Sequence, residues 1–147
     1  MKVLVTGGTG FIGKRLQRLK PEWEYLSSKD CNLLYIEDTV KYFEKNKPDA
    51  IVHLAGIVGG IKHNVEKQGE FLFLNTRINT NVIESARLAG IPRVLASLST
   101  CAFPNEVSTY PYAEDALFDG PPAETNFSYA IAKRHLHLSA LHTESNM

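Results

Sequence analysis

The amino-terminal segment KVLVTGGTGFIG places the strongest constraint on how this chain folds. A short β-branched run leads into Gly7, Gly8, Gly10 and Gly13, and a helical pattern follows. The spacing fits G-x-x-G-x-x-G from Gly7 and G-x-G-x-x-G from Gly8. A strand, a glycine loop and a helix in this order let the backbone approach a pyrophosphate, whose charge meets free N–H groups at the helix start. The segment predicts a dinucleotide site; the alternative is a glycine-rich turn without a ligand.

The remaining sequence alternates short apolar runs with helical patterns. Extended segments are expected at Glu24 to Ser27 and within DAIVHLAG and RVLASLS, and the last two are typical of strands buried on both faces. Helices are expected over IEDTVKYFEKN, Glu70 to Ala89 and Ser128 to His142, with a long surface loop at 104–126. This alternation predicts an α/β fold: a Rossmann-like, doubly wound parallel sheet forming one dinucleotide-binding domain over residues 1–147.

Composition argues against several classes of partner. The formal net charge is zero and there is no basic stripe, so nucleic acid is not expected as a ligand. The sequence has no signal-peptide pattern, and no apolar run approaches the ~20 residues of a membrane span. Its two cysteines, Cys31 and Cys101, do not make a disulfide framework, and no metal-ligand spacing is present. We therefore expect a cytoplasmic protein that does not bind a membrane or a metal ion.

The segment Ser27-Ser28-Lys29-Asp30, which follows the second expected strand, bears on the choice of dinucleotide. NAD sites in this fold usually place Asp or Glu here, on the ribose hydroxyl groups. A lysine and hydroxyl groups suit a 2′-phosphate instead, so the sequence favours NADP(H) over NAD. The alternative is a solvated Lys29, with Asp30 in the acidic role.

Tyr129 and Lys133 stand four residues apart in SYAIAK, so both lie on one face of the last expected helix. A tyrosine phenol titrates near ~10. A nearby ammonium, together with the positive nicotinamide of the oxidised cofactor, is expected to stabilise the phenolate and to move the pKa toward the range in which acid–base catalysis is efficient. Ser99 follows a strand, at the edge where ligands bind in open α/β sheets, and is expected to hydrogen-bond a substrate carbonyl. The alternative is an ordinary amphipathic helix with a buried tyrosine and an exposed lysine.

Together, TGGTGFIG, a serine after a strand and YAIAK resemble the extended short-chain dehydrogenase/reductases. The segments HLAGIVGGI, SLSTCAFP and TYPYAEDALFDGPPAETNFSYAIAKR resemble the GDP-L-fucose synthase branch of that family, and the resemblance runs from residue 2 to about 136. It implies an NADPH-dependent enzyme that epimerises GDP-4-dehydro-6-deoxy-D-mannose at C3 and C5 and then reduces its C4 ketone.

The resemblance also implies roles for individual residues. Tyr129 would donate the proton for ketone reduction and Lys133 would assist it and bind the cofactor ribose. Ser99 would polarise the ketone, and Cys101 would be the acid/base for epimerisation. The alternative for Cys101 is a small buried hydrophobic residue. The implied cofactor-binding residues are Gly7, Gly8, Thr9, Gly10, Phe11, Ile12, Gly13, Ser28, Lys29, Asn32, Leu33, Ala55 and Lys133.

Two further polar residues fall within expected elements. His53 lies in a buried strand and is interpreted as a core histidine with satisfied hydrogen bonds. Asn75 matches an asparagine near the active site of the resembled family; the alternative is a capping or solvent contact.

Members of the resembled family continue past the matched segments with more strands, a catalytic histidine and a substrate-binding domain. The terminal HTESNM does not resemble that continuation, so we expect a truncated domain that is inactive or impaired as an enzyme. The resemblance further implies a homodimer formed through the helices at 70–89 and 128–142. The alternative function is non-catalytic: a dinucleotide-binding module, or a dimerisation module that pairs with a full-length relative.

Overall fold

The computed structural model describes residues 1–107 and 109–144. Ser108, within the expected loop, and residues 145–147, at the end of the expected domain, lie outside the described residues. The structure contains one parallel sheet with strand order β2-β1-β3-β4. Its strands are β1 (Val3–Thr6), β2 (Glu24–Leu26), β3 (Ala50–His53) and β4 (Val94–Ala96). The predicted α/β fold with a doubly wound parallel sheet is confirmed.

Helices connect the strands, and all but the short helix at Ile61–Glu66 were predicted from the sequence. They are α1 (Phe11–Leu19), α2 (Ile36–Asn46), α3 (Ile61–Glu66), α4 (Gln68–Leu88) and α5 (Phe127–Glu144). The expected loop at 104–126 contains two short 3-10 helices, Glu114–Phe118 and Glu124–Asn126, and a third, Thr100–Ala102, precedes it. Among the described residues, no helix has the length and apolar character needed to cross a membrane.

Alternation along the central strands divides the core into two layers. Leu4 and Ile51 face the side on which Phe43 of α2 and Val82 of α4 pack. Their neighbours along the strands face the other side, where Val5 packs with Leu16 of α1. Because strand side chains alternate between faces, one short strand serves both layers. The helix α5 packs along α4.

The strand β4 differs from expectation. It has only three residues, and the side chain of Leu95 is 68% exposed, whereas RVLASLS was expected to form a strand buried on both faces. The difference follows from position, because β4 is the edge strand and pairs only with β3. The backbone leaves the sheet after Ala96, so Ser99 begins the 3-10 helix at Thr100–Ala102 instead of ending a strand.

Candidate cofactor and catalytic site

A cavity of about 550 Å³ opens where β1, β2 and β3 end. The chain order reverses between β1 and β3, and ligands of doubly wound sheets bind at such a reversal, outside the carboxyl ends of the strands. Most of the residues predicted to bind the cofactor line this cavity: Gly7, Thr9, Gly10, Phe11, Ile12, Gly13, Ser28, Asn32, Leu33 and Ala55. Gly8, Lys29 and Lys133 are not among its lining residues.

The glycine loop is shaped by contacts that exclude larger residues. Gly7 has φ 71°, and a Cβ added there would lie 2.8 Å from the backbone nitrogen of Ala55. A Cβ on Gly13 would lie 2.5 Å from the carbonyl oxygen of Gly7, so α1 starts directly against the loop. At Gly10, by contrast, a Cβ meets only the carbonyl oxygen of Gly7, at 3.1 Å. Since the first N–H groups of a helix have no intrahelical partner, the loop presents donors to the cavity.

Gly8 has a structural role instead of lining the cavity. Its backbone nitrogen donates to the carbonyl oxygen of Leu26 at 3.0 Å, and a Cβ on Gly8 would lie 2.7 Å from Cβ of Tyr25. The absence of a side chain therefore lets the loop pack against β2.

Asp30, the only carboxylate in the turn after β2, is hydrogen-bonded within that turn. The Oδ2 atom of Asp30 accepts hydrogen bonds from the backbone nitrogen and the hydroxyl group of Ser27, at 2.9 and 2.5 Å. These bonds, with a smaller contribution from the charge of Lys29, hold the pKa of Asp30 below its ordinary value. Lys29 lines a second cavity of about 430 Å³, which shares Ser28, Cys31 and Asn32 with the first.

Tyr129 and Lys133 lie on one face of α5, as the four-residue spacing predicts. The Nζ atom of Lys133 is 5.8 Å from the centroid of the Tyr129 ring and donates to the carbonyl oxygen of Ser97 at 2.8 Å. Lys133 is only 4% exposed, so the alternative of a solvent-exposed lysine is wrong. Burial lowers the pKa of the Lys133 ammonium.

The protein's own groups raise the pKa of Tyr129, whereas the sequence predicts a lowered pKa with an oxidised cofactor bound. Burial of the phenol raises this pKa, and the nearby thiol of Cys101 raises it further. Lys133 directs its hydrogen bond to Ser97, and the expected stabilisation of the phenolate does not outweigh desolvation. Tyr129 therefore stays protonated at neutral pH, in the state of a proton donor.

Ser99 and Cys101 are joined by a local hydrogen bond. The backbone nitrogen of Cys101 donates to the hydroxyl oxygen of Ser99 at 3.3 Å, which caps the 3-10 helix. This bond leaves the Ser99 hydroxyl hydrogen available to an acceptor. Cys101 is half-buried rather than fully buried, and it contributes to the raised pKa of Tyr129. The structure thus gathers the four predicted catalytic residues on α5 and the segment after β4.

A buried polar network, which the sequence did not reveal, connects the sheet to α5. His53 is fully buried, and its Nδ1 atom lies 2.7 Å from the hydroxyl oxygen of Thr6. Its Nε2 atom lies 3.2 Å from Oδ1 of Asn79, whose amide donates to the carbonyl oxygen of Ala132 at 3.0 Å. His53 is confirmed as a core histidine with satisfied hydrogen bonds, and the network ends beside Lys133.

Asn75 supports one wall of the cavity. Its Oδ1 atom accepts from the backbone nitrogen of Ile57 at 2.8 Å, and its amide donates to the carbonyl oxygens of Ile57 and Phe71, each at 2.9 Å. Asn75 is 1% exposed, so the alternative of a solvent contact is wrong. The sequence signal available for these buried contacts was the spacing of Asn75 and Asn79, two polar residues four apart on the buried face of α4.

Arg134 was also missed. It is 9% exposed, and its guanidinium donates to the carbonyl oxygens of Ala102 and Gly120, at 2.7 Å each. It thereby ties the segment that contains Cys101 to α5. Among the described residues, no group of three or more His, Cys, Asp or Glu side chains is placed to hold a metal ion.

Comparisons with known proteins agree with this geometry. The chain is 42% identical over 140 residues to a probable GDP-L-fucose synthase of Drosophila melanogaster, and 40% identical over 139 residues to a GDP-L-fucose synthase of Dictyostelium discoideum. Each match covers 90% of this chain and 43% of the relative, so the chain spans less than half the length of these relatives.

A solved structure gives the same result. The GDP-L-fucose synthetase of Naegleria fowleri bound to NADP superposes with a TM-score of 0.88 at 34% identity, over 98% of this chain and 45% of that protein. The model of the NAD dependent epimerase/dehydratase family matches residues 3–146. With its glycine loop at the sheet reversal and its tyrosine and lysine on α5, the chain belongs to the NAD dependent epimerase/dehydratase family.

Proposed function

We propose that this chain binds NADP(H) and supplies the cofactor site and the proton donor of a GDP-sugar epimerase-reductase of the GDP-L-fucose synthase type. The observation that carries the proposal is the arrangement of the cavity at Gly7–Gly13 in one domain with Tyr129 and Lys133. The similarity to GDP-L-fucose synthases at 40–42% identity supports the same assignment.

The residues present fit a dinucleotide. The backbone of Gly10 faces the cavity with no side chain to fill it, and the first turn of α1 offers N–H groups to a pyrophosphate. Ser28, Asn32 and Leu33 line the cavity and are proposed to bind the adenosine end. Lys133, which does not line this cavity, is proposed as a ligand of the nicotinamide ribose. NADPH, when bound, supplies a hydride to the ketone.

Two observations favour NADP(H) over NAD. The Oδ2 atom of Asp30 accepts two hydrogen bonds from Ser27 in its own turn, and Asp30 is not among the residues that line the cofactor cavity. In addition, the Naegleria fowleri relative, which is 34% identical, was solved with NADP.

The chemistry assigned to the chain's own residues follows from their environments. Tyr129, with a raised pKa, holds the proton that a reduced C4 ketone requires. Ser99 has a hydroxyl hydrogen to donate to that carbonyl oxygen, which stabilises the developing negative charge. Cys101 is the proposed acid/base on one face of the sugar in the proton exchange at C3 and C5 of GDP-4-dehydro-6-deoxy-D-mannose. Because epimerisation removes a proton from one face and adds one to the other, a second acid/base is required on the opposite face.

We also propose that the chain forms a homodimer through α4 and α5. An open groove of about 700 Å³ lies between these helices, with Leu72, Phe73 and Ile131 among its lining residues. Phe73 is 58% exposed, and burying such apolar side chains against a second copy is favourable. This surface also supports the second candidate function, a dimerisation module without catalysis.

The 147 residues alone are proposed to be impaired in catalysis. They span 43% of the relatives' length. Binding of the cofactor, by contrast, requires only the residues already described.

The test is a fluorescence titration with NADPH and with NADH, followed by NADPH oxidation in the presence of GDP-4-dehydro-6-deoxy-D-mannose. We expect saturable NADPH binding that is tighter than NADH binding, and little turnover. The absence of NADPH binding by a folded protein would refute the proposed cofactor site. Sedimentation of the same sample separates a dimer from a monomer.

A further inference from the structure

The second cavity, beside the turn after β2, has no role in the site described so far. It measures about 430 Å³ and adjoins the cofactor cavity, because Ser28, Cys31 and Asn32 line both. Its other lining residues come from the turn and from α2: Lys29, Asp30, Asp38, Lys41, Tyr42 and Lys45. A ligand group that reaches past Ser28 from the first cavity would come close to the second.

The charges around this cavity favour an anion. Three lysines line it, and no ion pair within the described part of the chain involves Lys29, Lys41 or Lys45. Of its two carboxylates, that of Asp30 already accepts two hydrogen bonds from Ser27, and that of Asp38 remains. The cavity therefore carries a net positive charge with cations that are free to bind.

Position along α2 distinguishes the two helical lysines. The helix begins at Ile36, close to the turn, and runs away from it. Each residue adds about 1.5 Å along a helix axis, so Lys45 lies about 6 Å farther along than Lys41. Lys41 is thus the helical cation nearer the boundary between the two cavities.

We propose that Lys41 binds the 2′-phosphate of the cofactor and, with Lys29, determines the preference for NADP(H). This inference rests on the proposed binding of NADP(H) and adds a specificity residue outside the glycine loop and the turn. The adenosine ribose would lie at the boundary formed by Ser28 and Asn32, with its 2′ substituent directed into the second cavity. NADH has a neutral hydroxyl group at that position and gains nothing from an ammonium there.

The experiment compares four substitutions by fluorescence titration at low ionic strength: Lys41→Ala, Lys41→Arg, Lys45→Ala and Lys20→Ala. Lys20 is an exposed lysine at the end of α1 and is absent from both cavities, which makes it the matched control. We expect Lys41→Ala to weaken NADPH binding about three- to tenfold, as for loss of a partly exposed charge-assisted hydrogen bond. NADH affinity should not change.

The other substitutions serve as controls for charge and for position. Lys41→Arg keeps the charge and should retain most of the affinity, Lys45→Ala should have a smaller effect, and Lys20→Ala none. Competition with adenosine 2′,5′-bisphosphate and with 5′-AMP measures the contribution of the 2′-phosphate alone. Of the two competitors, only the bisphosphate should bind Lys41→Ala more weakly than it binds the wild type.

The outcomes separate this inference from the proposed function. If the wild-type chain binds NADPH and Lys41→Ala binds it equally well, or loses NADPH and NADH affinity to the same extent, Lys41 is not a 2′-phosphate ligand. If the folded wild-type chain binds neither nucleotide, the proposed function itself is wrong, and the inference fails with it.

Discussion

The Nζ atom of Lys133 donates a hydrogen bond to the carbonyl oxygen of Ser97 across 2.8 Å. This contact joins α5, which carries Tyr129, to the segment after β4, which carries Ser99 and Cys101. An ammonium has three hydrogens, so one bond to Ser97 leaves two for a ligand. The same side chain can therefore orient the site and contact the cofactor ribose.

Replacing Lys133 by methionine tests this double role. Because the nicotinamide ribose is common to both nucleotides, Lys133→Met should weaken NADPH and NADH binding equally, by about tenfold or more. Lys41→Ala should weaken only NADPH binding. Isothermal titration with both nucleotides gives the comparison, and unchanged affinity for both would assign Lys133 a purely structural contact with Ser97.

Substitutions at two glycines of the loop are expected to impair the protein in different ways. A Cβ on Gly10 meets only one carbonyl oxygen, at 3.1 Å, so Gly10→Val should fold and lose NADPH binding. A Cβ on Gly13 would lie 2.5 Å from the carbonyl oxygen of Gly7, so Gly13→Val should also lose about 3 kcal/mol of stability through overpacking. Circular dichroism and urea unfolding distinguish the two variants. Gly69, with open space around it, is the control position.

His53 should make stability depend on pH. Burial lowers its pKa from 6.5 to about 4, so between these values the unfolded chain binds a proton that the native protein does not. The contribution of His53 to the free energy of unfolding should therefore be constant above pH 6.5 and should decrease as the pH drops toward 4. The loss attributable to His53 amounts to about 3 kcal/mol.

The measurement is urea unfolding at several pH values for the wild type and His53→Gln. The glutamine variant removes the titrating group, so its stability should fall less between pH 6.5 and 4. His63→Gln, at an exposed position in α3, should behave as the wild type. Parallel pH profiles for the wild type and His53→Gln would contradict the buried neutral histidine.

The elements that the sequence predicted well are those specified locally. The glycine loop, the β-branched run before it and the apolar spacing of α2 and α4 each follow from neighbouring residues, and their bounds agree with the structure within a few residues. Long-range position is not specified in this way. Leu95 belongs to an apolar run, yet it is exposed because β4 lies at the sheet edge.

The sequence predicted which residues form the candidate site, but it did not predict their pKa shifts. Spacing places Tyr129 and Lys133 on one helix face, but it does not show how deeply they are buried. Burial raises the pKa of Tyr129 and lowers that of Lys133, which reverses the simple expectation from their proximity. Backbone acceptors are likewise invisible in a sequence, so the contacts of Asn79 and Arg134 with carbonyl oxygens were missed.

Arg134 should stabilise the segment that bears Cys101. Arg134→Met leaves the carbonyl oxygens of Ala102 and Gly120 without their donor, and should cost about 3 kcal/mol. It should also speed alkylation of Cys101 by iodoacetamide, since the 3-10 helix would no longer be tied to α5. Arg18→Met, at an exposed position in α1, is the control. Equal stability and equal alkylation rates would refute this role.

The last prediction concerns turnover. The 147-residue chain should form GDP-L-fucose at least about 10⁴-fold more slowly than a full-length relative assayed beside it, because positioning of the reactants can supply about 7–11 kcal/mol of the barrier. Any residual NADPH-dependent reduction should fall by about 10²–10⁴-fold in Tyr129→Phe, the contribution of a general acid. That variant removes only the phenol oxygen, so NADPH affinity should be unchanged. Product chromatography decides the matter: GDP-L-fucose formed at a rate comparable to the relative, and lost in Tyr129→Phe, would show that these residues suffice for catalysis.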